Sequence, residues 1–115
     1  MNFKRGDVVL VLFPDSNLRS AKRRPALVVQ ADRLQSGLPQ KIVAMITSNM
    51  RRAGHVSRVS VTLASPAGKQ SGLKTDSANM TDNLVMLRHT EIERVLGRLE
   101  LMADVDAALR ATLAL

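Results

Sequence analysis

The sequence predicts a small, mainly β protein: a curved antiparallel sheet or small barrel, completed by a short helix and a C-terminal amphipathic helix. Three observations carry that expectation. Short β-branched and aliphatic runs recur between Asp7 and Leu87, punctuated by turn residues. The intervening loops are too short for crossover helices, which favours antiparallel pairing. Beyond His89 the apolar spacing becomes helical. All 115 residues fit one domain, 1–115, of a size that can bury a core without covalent staples.

Asp7–Phe13 is the first strand, led in by the Arg5-Gly6-Asp7 turn and stopped by Pro14. A polar, basic loop follows, from Pro14 to Arg23. Pro25–Gln30 is the second strand, opening on a proline where no ladder bond is lost. Both runs are apolar at nearly every position, which predicts burial on both faces. Gly37-Leu38-Pro39 turns the chain into a third strand, Lys41–Thr47, followed by a loop, Ser48–His55, carrying Arg51 and Arg52. Val59, Val61 and Leu63 alternate with Arg58, Ser60 and Thr62, the signature of a half-exposed strand. Ser65-Pro66-Ala67-Gly68 reads as a turn, and Ala78–Leu87 as one strand or two short ones broken near Asp82-Asn83. Thr90 and Glu93 form a capping-box pattern, predicting a short helix that Gly97 ends in the left-handed conformation. Met102, Val105, Leu109 and Leu113 then make one stripe of a final helix, with Asp104 and Asp106 near its start.

The chain has no cysteine, which excludes disulfides, thiolate metal sites and a thiol nucleophile. Its two histidines, His55 and His89, have no carboxylate pattern around them, so no metal is expected. Phosphate-binding glycine loops and a nucleophile elbow are missing too, so no cofactor is expected. Spacing alone leaves a Ser-His-Asp set open. The basic pair near the N-terminus precedes no long apolar stretch, and no run approaches the ~20 residues of a membrane span. A cytoplasmic protein is expected. The net charge of +7 is unevenly placed: residues 1–75 hold 13 Lys/Arg and 3 Asp/Glu (+10), residues 76–115 hold 4 and 7 (−3). A basic stretch of that length points to a polyanion such as nucleic acid, the alternative being a solvated surface. Phe3 and Phe13 are the only aromatics. Base stacking is therefore nearly unavailable, and a nucleic acid would be held by charge, hydrogen bonds and guanidinium planes.

The most specific signal lies in several segments taken in order: K-R-G-D-V-V-L-V-L-F-P (Lys4–Pro14), K-R-R-P-A-L-V-V-Q-A-D (Lys22–Asp32) and I-V-A-M-I-T-S-N (Ile42–Asn49). G-L-K-T-D-S (Gly72–Ser77), T-D-N-L (Thr81–Leu84) and L-G-R-L (Leu96–Leu99) follow. With them the chain resembles, over essentially its whole length, the MazF/PemK family of bacterial toxin endoribonucleases. That resemblance implies an SH3-like barrel, a homodimer, and metal-independent cleavage of single-stranded RNA, leaving a 2′,3′-cyclic phosphate and a 5′-OH. It also implies inhibition by a cognate antitoxin, here expected to be acidic and partly disordered.

The family's catalytic arginine, just before the strand-opening proline, falls on Arg24; its catalytic threonine falls on Thr47; an acidic position functional in some members falls on Asp82. Lys22, Arg23, Ser48, Asn49, Arg51 and Arg52 are the accompanying candidates for RNA contact. The residue types suit the chemistry. A fixed guanidinium matches phosphate oxygens with forked donors, and a hydroxyl adds another donor to the charge that grows in the transition state. An arginine is always protonated, so the group that takes the 2′-OH proton stays open, Asp82 and a phosphate-assisted route being the choices. The chain departs from the family at Leu18-Arg19-Ser20, where others carry S-E-Q, and at Met80, where some carry an arginine. Two other readings stand beside the nuclease: a non-catalytic SH3-like nucleic-acid-binding module, and a toxin of the same fold acting on DNA gyrase.

Overall fold

The computed structural model describes residues 2–14 and 21–115. Most of the predicted first loop, including Leu18-Arg19-Ser20, lies outside the described residues. The elements run β1 (Asp7–Pro14), β2 (Ala21–Val28), β3 (Gln40–Thr47), β4 (Arg58–Val61), α1 (Pro66–Ser71), β5 (Ser77–Arg88), a 3₁₀ turn (His89–Glu91), β6 (Ile92–Arg98) and α2 (Met102–Leu113). The six strands form one curved sheet in the order β4-β5-β3-β2-β1-β6, every neighbouring pair antiparallel. Among the described residues the edges β4 and β6 do not pair, so the sheet is not closed.

The unbroken apolar runs have a physical cause: the sheet carries a core on each face. Val8, Leu27, Ala44 and Ile46 point to one side, where Val59, Val61, Leu99, and Val105 and Ala108 of α2 cover them. Their sequence neighbours Val9, Ala26, Val28, Val43 and Met45 point to the other, with Phe3, Leu87 and Ile92. Alternate side chains of a strand face opposite ways, so two buried faces require apolar residues at every position. The α2 stripe behaves as predicted at Met102, Val105 and Leu109, while Leu113 remains half exposed. Among the described residues no helix is long and apolar enough to cross a membrane.

Three elements differ from the expectation. First, β2 begins at Ala21, so Arg24 sits inside the strand opposite Val11 rather than at its start. Second, Ser65-Pro66-Ala67-Gly68 opens a helix: the Ser65 hydroxyl accepts the Gly68 amide (3.0 Å), Pro66 takes the first turn, and Gly72 ends it at φ +75°. Third, the helix predicted between Thr90 and Gly97 is a 3₁₀ turn running into β6. The capping carboxylate there is Glu91, accepting the Arg88 amide at 2.9 Å; Glu93 is on a strand. Ile92 and Val95 instead pair with Val11 and Val9 of β1. Gly97 is not left-handed. It is small because β6 runs against α1: a Cβ at Gly97 would lie 2.3 Å from the Gln70 carbonyl oxygen and 2.6 Å from the Ser71 carbonyl carbon.

The uneven charge closes on itself across the sheet. Arg5 pairs with Asp106, Asp7 with Arg98 (2.9 Å), Arg23 with Glu93 (2.8 Å) and Arg58 with Asp82 (3.0 Å). Each joins a residue of the basic stretch to one of the acidic stretch, except that Asp7 takes the opposite part. The pairs at Arg5 and Asp7 tie the start of the chain to its last strand and helix.

Candidate active site

The antiparallel pairing of β1 with β2 and of β2 with β3 brings Arg24 and the end of β3 around one cleft of about 390 Å³. Arg23, Arg24 and Pro25 line it from β2, and Ile46, Thr47 and Ser48 from the end of β3. Thr47 is half-buried, and its Oγ1 accepts the Asn49 amide at 3.1 Å. That leaves its hydroxyl proton available to a ligand. The turn after it is shaped by Asn49, whose Oδ1 accepts the Arg51 amide at 3.1 Å.

Of the residues predicted from sequence, then, Arg23, Arg24, Thr47 and Ser48 meet in the cleft. Arg23 does so under restraint, its Nε donating to both Glu93 oxygens at 2.8 and 2.9 Å. Lys22, Asn49, Arg51 and Arg52 are exposed and do not line it. Asp82 is also absent from the lining. Its carboxylate receives Nε and Nη2 of Arg58 at 3.0 and 3.3 Å. That hydrogen bond holds the Asp82 carboxyl below the usual range, the Arg58 charge adding to it and burial opposing it. A carboxylate so held is a poor proton acceptor.

Four polar lining residues were not singled out from the sequence: Lys74, Thr75, Ser77 and Arg94. Lys74, Thr75 and Ser77 belong to the G-L-K-T-D-S segment, but nothing in its spacing shows that the loop after α1 folds back toward the end of β3. Arg94 lay in the stretch read as a helix; as part of β6 it faces Leu10 of β1 in register. Among the described residues the cleft is thus lined by four cations, Arg23, Arg24, Lys74 and Arg94, with hydroxyls from Thr47, Ser48, Thr75 and Ser77. Among the described residues no carboxylate or imidazole lines it. Cations and hydroxyl donors converging without a carboxylate suit a phosphate ester.

The comparisons agree with the ordered motifs. Residues 4–113 match the family model described as the PemK-like, MazF-like toxin of type II toxin–antitoxin systems. The chain is 36% identical over 105 residues to Endoribonuclease MazF6 of Mycobacterium tuberculosis and to Endoribonuclease MazF2 of Mycobacterium bovis, covering 89% of this chain and 88% of each relative. Its fold is shared with an endoribonuclease solved in complex with its cognate antitoxin from a mycobacterial species (TM-score 0.73, 21% identity, 98% of this chain and 96% of that one). MazF in a MazE–MazF complex from Deinococcus radiodurans is equally similar (TM-score 0.73, 21% identity, 100% and 99%). On the match of nearly its whole length, the chain belongs to the PemK/MazF family of toxins of type II toxin–antitoxin systems.

Proposed function

We propose that this toxin is a metal-independent endoribonuclease that cuts single-stranded RNA with its scissile phosphate held between Arg24 and Thr47. The observation that carries the reading is that these two residues, brought from different strands, line one cationic cleft with Ser48. In the reaction the ribose 2′-oxygen attacks phosphorus, the O2′–P bond forms and the P–O5′ bond breaks. The products are a 2′,3′-cyclic phosphate and a 5′-OH. The Arg24 guanidinium neutralises the non-bridging oxygens as charge gathers there, and the Thr47 and Ser48 hydroxyls donate to the same group. The 2′-OH proton passes to a non-bridging oxygen and from there to the leaving O5′. That route fits an Asp82 already committed to Arg58. Asp82 then has a positioning part, fixing Arg58 across β4 and β5.

The toxin acts in the cytoplasm as a homodimer. Its antitoxin lays an acidic, partly disordered segment over the same cations and so keeps RNA out. The test is incubation of purified protein with single-stranded RNA in EDTA, with Arg24→Ala alongside. New 5′-OH ends at defined sites, lost in the variant, are expected. RNA left intact by the wild type, or cut equally well by the variant, overturns the reading.

A further inference from the structure

We propose that Lys74 and Arg94 form a second phosphate subsite, which grips the linkage next to the scissile one; this deepens the nuclease reading and rests on it. In the sheet, Arg94 lies opposite Leu10 and Leu10 opposite Pro25. Neighbouring strands are about 4.8 Å apart, so the Arg94 backbone stands two spacings, roughly 10 Å, from β2 beside Arg24. A single phosphodiester carries one negative charge, fewer than the four cations that line the cleft among the described residues. An RNA strand, however, carries a negative charge at every linkage, and the next linkage is what a cation there meets. The cleft volume, about 390 Å³, is in the range that takes a ligand larger than one phosphate.

The loop bearing Lys74 is built to hold it still. Gly72 at φ +75° lies so near β6 that a Cβ would come within 2.2 Å of the Leu96 carbonyl oxygen. The Ser71 hydroxyl accepts the Leu73 amide at 3.1 Å. At the other end, the Asp76 carboxylate accepts the Leu63 amide at 2.8 Å, and the Ser77 hydroxyl donates to the Thr75 carbonyl at 2.9 Å. A loop pinned at both ends loses little freedom when its lysine engages an anion, which is where pre-organisation gains affinity. Arg23 is less suited to the part, since Glu93 already holds and partly neutralises it. The subsite predicts that efficient cleavage needs two linkages, and that a dinucleoside monophosphate is cut slowly.

The experiment uses an oligoribonucleotide with one cleavage site and places a neutral methylphosphonate at each linkage beside it in turn. Cleavage is measured for the wild type, Lys74→Met, Arg94→Met and the double variant, with Lys69→Met on the exposed face of α1 as the charge control. Binding is measured by fluorescence anisotropy on the 2′-O-methyl version, which cannot be cut. One neutral linkage is expected to raise the wild-type KM and Kd about tenfold, as for a lost charged hydrogen bond. Each single variant raises them similarly with kcat within about twofold, Lys69→Met changes nothing, and the double variant no longer senses the neutral linkage. A wild type indifferent to every linkage except the scissile one overturns the subsite, as does a double variant as sensitive as the wild type. Charge-dependent binding without cleavage would sink the nuclease reading and leave the subsite standing.

Discussion

Replacing Gly97 with alanine tests how β6 is seated against α1, and through α1 how the Lys74 loop is placed. A methyl group there meets the Gln70 carbonyl oxygen at 2.3 Å and the Ser71 carbonyl carbon and oxygen at 2.6 and 2.7 Å. All three are backbone atoms, so no rotamer change relieves them. Either α1 or β6 shifts by the better part of an ångström. Overpacking of that kind costs about 1–3 kcal/mol. At this chain length 1 kcal/mol moves Tm by about 4 °C, so the melting temperature should fall by roughly 4–12 °C. Gly97→Asn separates this cause from the left-handed cap that the sequence suggested. Asparagine is the best substitute at a cap, but here its larger side chain makes the clash worse than alanine does. Gly54→Ala, where an added Cβ meets nothing within 4 Å, is the control. Thermal melting by circular dichroism reads all three. A Gly97→Ala protein that melts with the wild type, or a Gly97→Asn protein more stable than it, refutes the packing argument.

Thr47→Val keeps the shape and removes the hydroxyl, so kcat in a single-turnover RNA assay should fall roughly 10²–10³-fold, while Thr47→Ser restores most of it. Equal rates for valine and threonine would remove Thr47 from the chemistry. Asp82→Asn should cut RNA within about twofold of the wild type at pH 7, since its carboxylate serves Arg58; a loss of several orders of magnitude, with the fold intact by circular dichroism, would return Asp82 to the role of base. His89 packs edge-on against Phe3, ring centroids 5.2 Å apart, and burial first, then the Lys41 charge, holds its pKa below the ordinary 6.5. The unfolded chain therefore takes up the proton more readily. This contribution to stability is complete above the unfolded value and is lost as pH falls below it towards the lower folded value. Denaturant titrations from pH 7.5 to 5 should show that decline, and His89→Phe should flatten it; an unchanged slope would contradict the assignment.

The strands were legible wherever one rule governed them. Val59 and Val61 alternate because β4 is half exposed, and the runs at Val8–Val11 and Val43–Ile46 are continuously apolar because both faces of the sheet are buried. The misreading at Thr90–Gly97 has a long-range cause. Thr90, Glu93 and Gly97 match a helix locally, but β1 offered Ile92 and Val95 a partner, and a residue tens of positions away decided the outcome. The same holds for the site. Arg24 and Thr47 could be marked because each sits in a short motif. Lys74 and Arg94 join them only once a glycine-ended helix turns its loop back over β6, an event that no window of neighbouring residues contains.

The pairing of the first strand with the last has a consequence for the timing of synthesis. The β6-facing edge of β1 finds its partner only when the chain has been made through Arg98, and the Arg5–Asp106 pair waits longer still. Loop closure over such a span is entropically costly and makes for slow folding. A nascent toxin can form the β1–β2 hairpin early, with Arg24 already in place on it, yet it has no cleft wall at Arg94. The cleft is thus completed only once β6 has been made, well after the hairpin that carries Arg24.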